Sequence, residues 1–309
     1  MLSVGDSVHK LPVILITGPT AVGKTALAVE IARQIGGEIV NADSRQIYRY
    51  MDIGTAKPTS AELAAARHHL LDIIDPDYVL TMTEYQTMAY AAIEDIAKRG
   101  KIPMLVGGTG QYILAVLEGW NAPEVSPNPA LRSELEAIAT EQGKEALFER
   151  LRTLDPDAAT WIDPHNMRRV IRALEVCIET GRPFSAQRRR VPPSYRVLEL
   201  GLTMEREALY NRLDKRIDKM MADGLLDEVR ALRGRGYSWE LPSMSGLGYL
   251  QLGAYLRGES TLDEAEILIK RDTRTFVRHQ YNWFRRLKGL IWLEQPAIEA
   301  AQTRVRDWL

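Results

Sequence analysis

Apolar positions along the chain fall into two alternating patterns. Short runs bounded by glycine or polar residues, at Val13 to Ile16, Glu38 to Val40, Leu70 to Ile74 and Lys101 to Val106, predict buried strands. Between them lie helical spacings. Ala26, Leu27, Val29, Ile31, Ala32 and Ile35 share one face until Gly36-Gly37 stops them. A second helix opens at Thr83, with Gln86 at capping-box distance, and ends near Gly100. This alternation predicts an α/β protein with a doubly wound parallel sheet whose ligands sit at the carboxyl ends of the strands.

From Trp120 to Tyr195 the pattern changes to helical segments punctuated by eight prolines, which predicts an all-helical insertion over 120–195 in a core made of 1–119 and 196–309. Arg196 to Thr203 then returns as a strand, Glu205 to Arg233 as a long helical stretch, and Leu290 to Leu293 as a last strand. Thr261 with Glu264 marks another capping box.

At 309 residues and 45% apolar content the chain can fill a main core and a smaller one. No apolar run approaches the roughly 20 residues that cross a bilayer, and Met1 to Lys10 lacks the apolar stretch of a secretory signal. With one cysteine, Cys177, no internal disulfide is possible, and the expected compartment is the cytoplasm. Cys177 lies among apolar residues with no obvious base nearby, so a core position suits it better than a nucleophile's.

The net charge of −1 conceals clusters: Arg168, Arg169 and Arg172; Arg182 with Arg188 to Arg190; and Arg271, Arg274, Arg278, Arg285, Arg286 and Lys288 interleaved with Phe276, Tyr281, Trp283 and Phe284. Such a pattern suits a nucleic-acid backbone with stacked bases, or equally a solvated helix face whose aromatics pack inward.

The strongest chemical signal is GPTAVGKT. Gly18, Pro19, Thr20, Ala21, Val22, Gly23, Lys24 and Thr25 stand between a strand and a helix, the context of a phosphate-binding loop. Its backbone N–H groups and the helix start attract an anion, Lys24 adds charge, and the Thr25 hydroxyl suits Mg2+. A second polar signal follows the second strand, where Asp43 opens NADSRQIY, and a third, Gly107-Gly108-Thr109, follows the strand ending at Val106. Asp43 reads as a general base, a helix cap or a metal's outer partner. Asp72 and Asp75 are further carboxylates available to a metal, whereas His68 and His69 lack partners at zinc spacing.

Several tracts together resemble the tRNA dimethylallyltransferases, also called tRNA isopentenyltransferases. They are GPTAVGKT, ADSRQIYRYMDIGTAKP at Ala42 to Pro58, HHLLDIIDP at His68 to Pro76, LVGGTGQY at Leu105 to Tyr112, RRVIRALEV at Arg168 to Val176, LGYLQL at Leu247 to Leu252 and HQYNWFR at His279 to Arg285. The resemblance spans about Leu11 to Gln295. It implies a P-loop NTPase-like sheet with a helical insertion that contacts tRNA, and a monomer. It also implies transfer of a dimethylallyl group from dimethylallyl diphosphate to N6 of adenosine 37, in the anticodon loop of tRNAs reading codons that start with U.

By the same resemblance Asp43 and Thr109 are catalytic, Arg216 in preference to Arg212 joins the loop on the diphosphate, and Mg2+ binds at Thr25. The tRNA contacts it implies are Asp43, Ser44, Arg45, Gln46, Thr109, Arg132, Met167, Arg168, Arg169, Val170, Ile171, Gly246, Gly248 and Gln280. This chain departs from the family in Arg278-His279-Gln280, where many members carry Lys-Arg-Gln, and in Asn282, where many have threonine. Three other readings remain open on residues alone: a prenyltransferase acting on a free adenine nucleotide, a small-molecule kinase using ATP, and a nucleotide-dependent RNA-binding module.

Overall fold

The computed structural model describes residues 10–309 except 122, 124 and 188. Arg188 of the second basic cluster therefore lies outside the described residues. Two compact units divide the chain, one running to Leu117 and resuming over Pro193–Leu309, the other spanning Glu118–Pro192.

Strands are numbered in chain order: β1 (Leu11–Thr17), β2 (Glu38–Asn41), β3 (His68–His69), β4 (Pro103–Gly107), β5 (Trp120–Asn121), β6 (Arg189–Arg190), β7 (Tyr195–Thr203) and β8 (Ile291–Glu294). In the first unit, six of them form one sheet in the order β3-β2-β4-β1-β7-β8, and every pairing is parallel. Alternation along β1 sends Ile14 and Ile16 into one core and Val13 and Leu15 into another, all fully buried, so the sheet is covered on both faces.

The helix Lys24–Ile35 covers the first face with Leu27, Ala28 and Ile31, and Gly36 closes it in the left-handed region at φ 65°. The helix Met82–Lys98 covers the second with Tyr85, Ala89, Ile93 and Ile96. A third core lies beyond the strand ends. There Ile47, Tyr48 and Met51, from the loop after β2, pack against Ile217, Leu225, Val229 and Tyr249 of the later helices. This packing fixes the loop that carries Asp43.

Some elements differ from the sequence expectation. The segment Leu70 to Ile74 is not a strand: β3 is His68–His69, and Leu70 and Asp72 take φ of 62° and 53°, which ends any extended run. The capping box of the next helix is Thr81 with Glu84, two residues before the expected pair. Glu205 to Arg233 is two helices, Arg206–Ala222 and Leu225–Gly234, parted by Gly224 at φ 101°. The Thr261–Glu264 box forms as expected and opens the helix Leu262–Phe284.

The second unit packs the helices Pro129–Glu141, Lys144–Leu154 and Met167–Thr180 around Leu135, Leu147, Leu151, Val170 and Leu174. It is not wholly helical, because β5 and β6 pair antiparallel.

Candidate active site

The glycine-rich turn leaves β1 at Thr17, whose hydroxyl donates to Gly107 O at 2.9 Å and ties the ends of β1 and β4 together. Gly18 takes φ 145°, and a Cβ there would stand 2.5 Å from Leu202 O, so glycine is required. Gly107 is equally confined, with the Ala42 backbone 2.2 Å from any Cβ. The helix starting at Lys24 has no side-chain cap, which leaves its positive end available to an anion.

Around this loop lies a cavity of about 400 Å³. Thr20, Ala21, Gly23, Lys24, Thr25, Asp43, Gln46 and Arg216 of the expected residues line it. Gly18, Pro19 and Val22 shape the turn behind: the Lys24 ammonium donates to Gly18 O at 3.0 Å and Pro19 O at 2.8 Å, while Val22 is fully buried.

Lys24 lies deep enough that burial lowers its pKa to about 8, with Arg216 adding to the fall and the Asp43 carboxylate opposing it. Burial also lowers Arg216, again against Asp43. The phosphate-loop cations and the carboxylate are thus within electrostatic reach of one another in one cavity. Arg212, Arg216 and Lys219, spaced four and three apart on one helix, all face it, so the two candidate arginines share the wall.

The Asp43 loop is internally braced. Asp43 Oδ1 accepts from Arg45 N–H at 2.9 Å. Thr109 Oγ1 accepts from Ser44 N–H at 2.9 Å and donates to Ser44 Oγ at 3.2 Å. Arg45 reaches Pro242 O at 2.6 Å, and Gln46 donates to Thr55 O and Ala56 O. Thr109 is not among the cavity-lining residues, and its hydroxyl here positions the neighbour of Asp43.

The Thr25 hydroxyl is a hard oxygen donor on the cavity wall, and with phosphate oxygens and water completing the shell it fits Mg2+. Asp72 and Asp75 are occupied elsewhere, by Lys57 and Arg49.

The chain matches the family model described as IPP transferase over residues 46–287. It belongs to that family. Relatives of this IPP transferase include the tRNA dimethylallyltransferase of Roseiflexus castenholzii, 56% identical over 94% of this chain and 95% of the relative. That of Chloroflexus aurantiacus is 54% identical, covering 90% and 95%. Among solved structures, the tRNA isopentenylpyrophosphate transferase of Bacillus halodurans superposes with a TM-score of 0.73 at 39% identity, covering 97% of each chain. A eukaryotic dimethylallyltransferase acting on tRNA gives a TM-score of 0.79 at 29% identity, covering 92% of this chain and 74% of that one.

Several residues expected to touch tRNA are used inside this IPP transferase. Gln280 is buried; its Oε1 accepts from Thr20 N–H, and its Nε2 donates to Gly108 O at 3.0 Å. Val170 and Ile171 are core residues of the second unit, so their side chains are closed to a partner. Arg132 forms a two-pronged pair with the buried Glu175. Gly246 N–H donates to Ser243 O, and Gly248, at φ 89°, starts the helix Tyr249–Leu256. Arg168 and Arg169 are exposed, with Met167 half-buried beside them.

The third basic cluster is mixed, with Phe276 exposed and the other three aromatics packed to different depths. Phe284 is fully buried, Tyr281 meets Thr203, Trp283 packs on Gly110, and Arg274 pairs with Asp214. Cys177 is buried with its thiol pKa raised by burial, which suits the expected core position. Among the described residues no helix is long and apolar enough to cross a membrane.

Several polar cavity residues, among them Lys57, His68, Asn41 and Lys219, received no binding role from the sequence. Lys219 alone had a signal, its helical spacing from Arg212 and Arg216. His68 and Lys57 come to the cavity only through the pairing of β3 with β2 and the fold of the following loop.

Proposed function

We propose that this chain transfers the dimethylallyl group of dimethylallyl diphosphate to N6 of adenosine 37 in tRNA, releasing diphosphate. The observation that carries the reading is the shared cavity, which the phosphate loop with Lys24, Arg216 and Asp43 all line.

The diphosphate sits against the loop N–H groups, Lys24 and Arg216, which stabilise the charge growing on the leaving oxygens. Thr25 would hold Mg2+, whose charge would further neutralise those oxygens. The N6 lone pair forms the new bond to the allylic C1 as the C1–O bond breaks, its electron pair leaving with the diphosphate. An adenine amine is a weak nucleophile because its lone pair is delocalised into the ring. Asp43 accepts one N6 proton as the N–C bond forms, and its hydrogen bond from Arg45 N–H holds the carboxylate in place. The adenosine leaves its stack to reach the cavity, at a cost of a few kcal/mol that is smaller in a loop than in a duplex.

The helical unit, through Arg168 and Arg169, grips the tRNA backbone, and the enzyme acts as a cytoplasmic monomer. Incubation with dimethylallyl diphosphate, Mg2+ and unmodified tRNA, followed by digestion and mass analysis of nucleosides, tests the reading. A dimethylallyl adenosine formed from tRNA and not from free AMP supports it. Transfer to AMP alone, or phosphate transfer from ATP without prenyl transfer, overturns it.

A further inference from the structure

Asn41 is the last residue of β2 and is only 4% exposed. A side-chain amide buried to that depth needs partners for both of its ends, and it finds them on the backbone around Asp43. Its Oδ1 accepts from Asp43 N–H at 3.2 Å. Its Nδ2 donates to Asp43 O at 3.2 Å and to Leu70 O at 3.1 Å. A backbone N–H only donates and a backbone carbonyl only accepts, so these partners fix which end of the amide is which.

Asn41 is itself anchored. The hydroxyl of the fully buried Tyr85 donates to Asn41 O at 2.9 Å, and Asn41 stands opposite Val106 in the last register pair of β2 and β4. Asp43 lies beyond that pair, where the sheet no longer holds its backbone. Hydrogen bonds take over there: Tyr85 holds Asn41, Asn41 holds the N–H and the carbonyl of Asp43, and Arg45 N–H holds Asp43 Oδ1 at 2.9 Å. The bond to Leu70 O ties the chain leaving β3 to the same point.

We infer that Asn41 is a positioning residue for the transfer, setting the place and direction of the Asp43 carboxylate and acting through it. An amide suits this task because it offers an acceptor and two donors on one short side chain, matching one N–H and two carbonyls. Misplacing a reacting group by about 1 Å can cost about 10²-fold in rate, so a clamp on the backbone of a general base acts on turnover more than on binding. The inference rests on the function proposed above, in which Asp43 is that base.

The test places Asn41→Ala and Asn41→Ser in the wild-type chain and in Asp43→Asn. Single-turnover dimethylallyl transfer to an anticodon stem-loop RNA, diphosphate Kd and RNA Kd are measured on each. For Asn41→Ala the expected transfer rate is about 10²-fold lower, with both Kd values within about threefold of wild type. Asn41→Ser keeps an acceptor for Asp43 N–H but is too short to reach Leu70 O as well, and transfers about fivefold more slowly than wild type, the scale of one hydrogen bond. In Asp43→Asn each substitution costs less than about twofold further, because the group that Asn41 places no longer takes a proton.

A transfer rate equal to wild type in either variant, losses that multiply in the double variants, or a loss matched by weaker diphosphate and RNA binding overturns the inference. Should Asn41→Ala fail to fold, Asn41→Ser decides by the same criteria. These outcomes leave the functional reading standing, whereas a wild-type chain that transfers no prenyl group, or Asp43→Asn that transfers as fast as wild type, defeats that reading itself.

Discussion

Gln280 Oε1 accepts the backbone N–H of Thr20 at 2.9 Å, so a residue deep in the helix Leu262–Phe284 holds the phosphate loop across 260 positions of sequence. Its Nε2 grips Gly108 O, which joins the loop to the end of β4. A Cβ on Gly108 would lie 2.4 Å from Nε2, so a side chain at 108 would displace the brace.

Gln280→Ala leaves two backbone groups without their partner and should destabilise the fold by about 2 kcal/mol. It should also weaken diphosphate binding, because the loop loses its brace. Urea unfolding and diphosphate titration check both. Gln280→Glu, which keeps the acceptor for Thr20 but sets a carboxylate against Gly108 O, should be no better.

The Lys24 ammonium, with its pKa lowered by burial to about 8, gives diphosphate binding a pH dependence. The charged form binds the anion, so affinity for dimethylallyl diphosphate should be full below about pH 8 and fall as pH rises through that value. Binding near pH 8 should take up protons, visible by calorimetry in buffers of different ionisation enthalpy. Lys24→Met should cost about 2 kcal/mol of affinity and abolish the proton uptake.

Local signals were legible in the sequence and non-local ones were not. The phosphate loop, β1 and the Thr261 cap each depend on residues a few positions apart, and all three form as the spacing predicts. Thr81 and Thr83 both have a capping partner three residues on, so spacing alone could not separate them; Thr81 with Glu84 forms the box. Leu70 to Ile74 was apolar enough for a strand, yet Ile73 and Ile74 pack into the core beyond the strand ends through a loop with two left-handed residues. Within the candidate site, the residue types of the loop and Asp43 carried their chemistry on the surface of the sequence. The bracing roles of Gln280 and Thr109 depend on partners 260 and 65 residues away.

Arg168 and Arg169 lie exposed at the start of the helix Met167–Thr180, where they can meet phosphates. Replacing both with glutamine should weaken tRNA binding and reduce the slope of log affinity against log salt by about 1.4, at about 0.7 per phosphate of a single strand. Filter binding across salt concentrations measures this. Diphosphate affinity should not change.

Glu38 is a buried carboxylate held by Arg99, Lys101 and His69. The Arg99 hydrogen bond, with help from Lys101 and His69, holds its pKa far below the usual carboxylate range against the opposing effect of burial. A depressed carboxylate stabilises the fold fully above its unfolded-state pKa, and the contribution is lost progressively as pH falls from there through the much lower folded value. Glu38→Gln should therefore cost about 3 kcal/mol near neutrality, the low end for a broken buried pair because Arg99 and Lys101 reach solvent. The difference between variant and wild type should narrow in acid, as thermal unfolding at several pH values would reveal.

Asp43→Asn tests the central claim most directly. Asparagine keeps an Oδ1 to accept from Arg45 N–H, so the loop geometry survives while the proton acceptor is lost. Single-turnover transfer of the dimethylallyl group to tRNA should slow by about 10² to 10⁴, the range for a general base, with diphosphate and tRNA affinities within a few-fold of wild type. A transfer rate equal to that of wild type, or a loss explained wholly by weaker binding, would contradict the account of one cavity joining a phosphate cradle to a catalytic carboxylate.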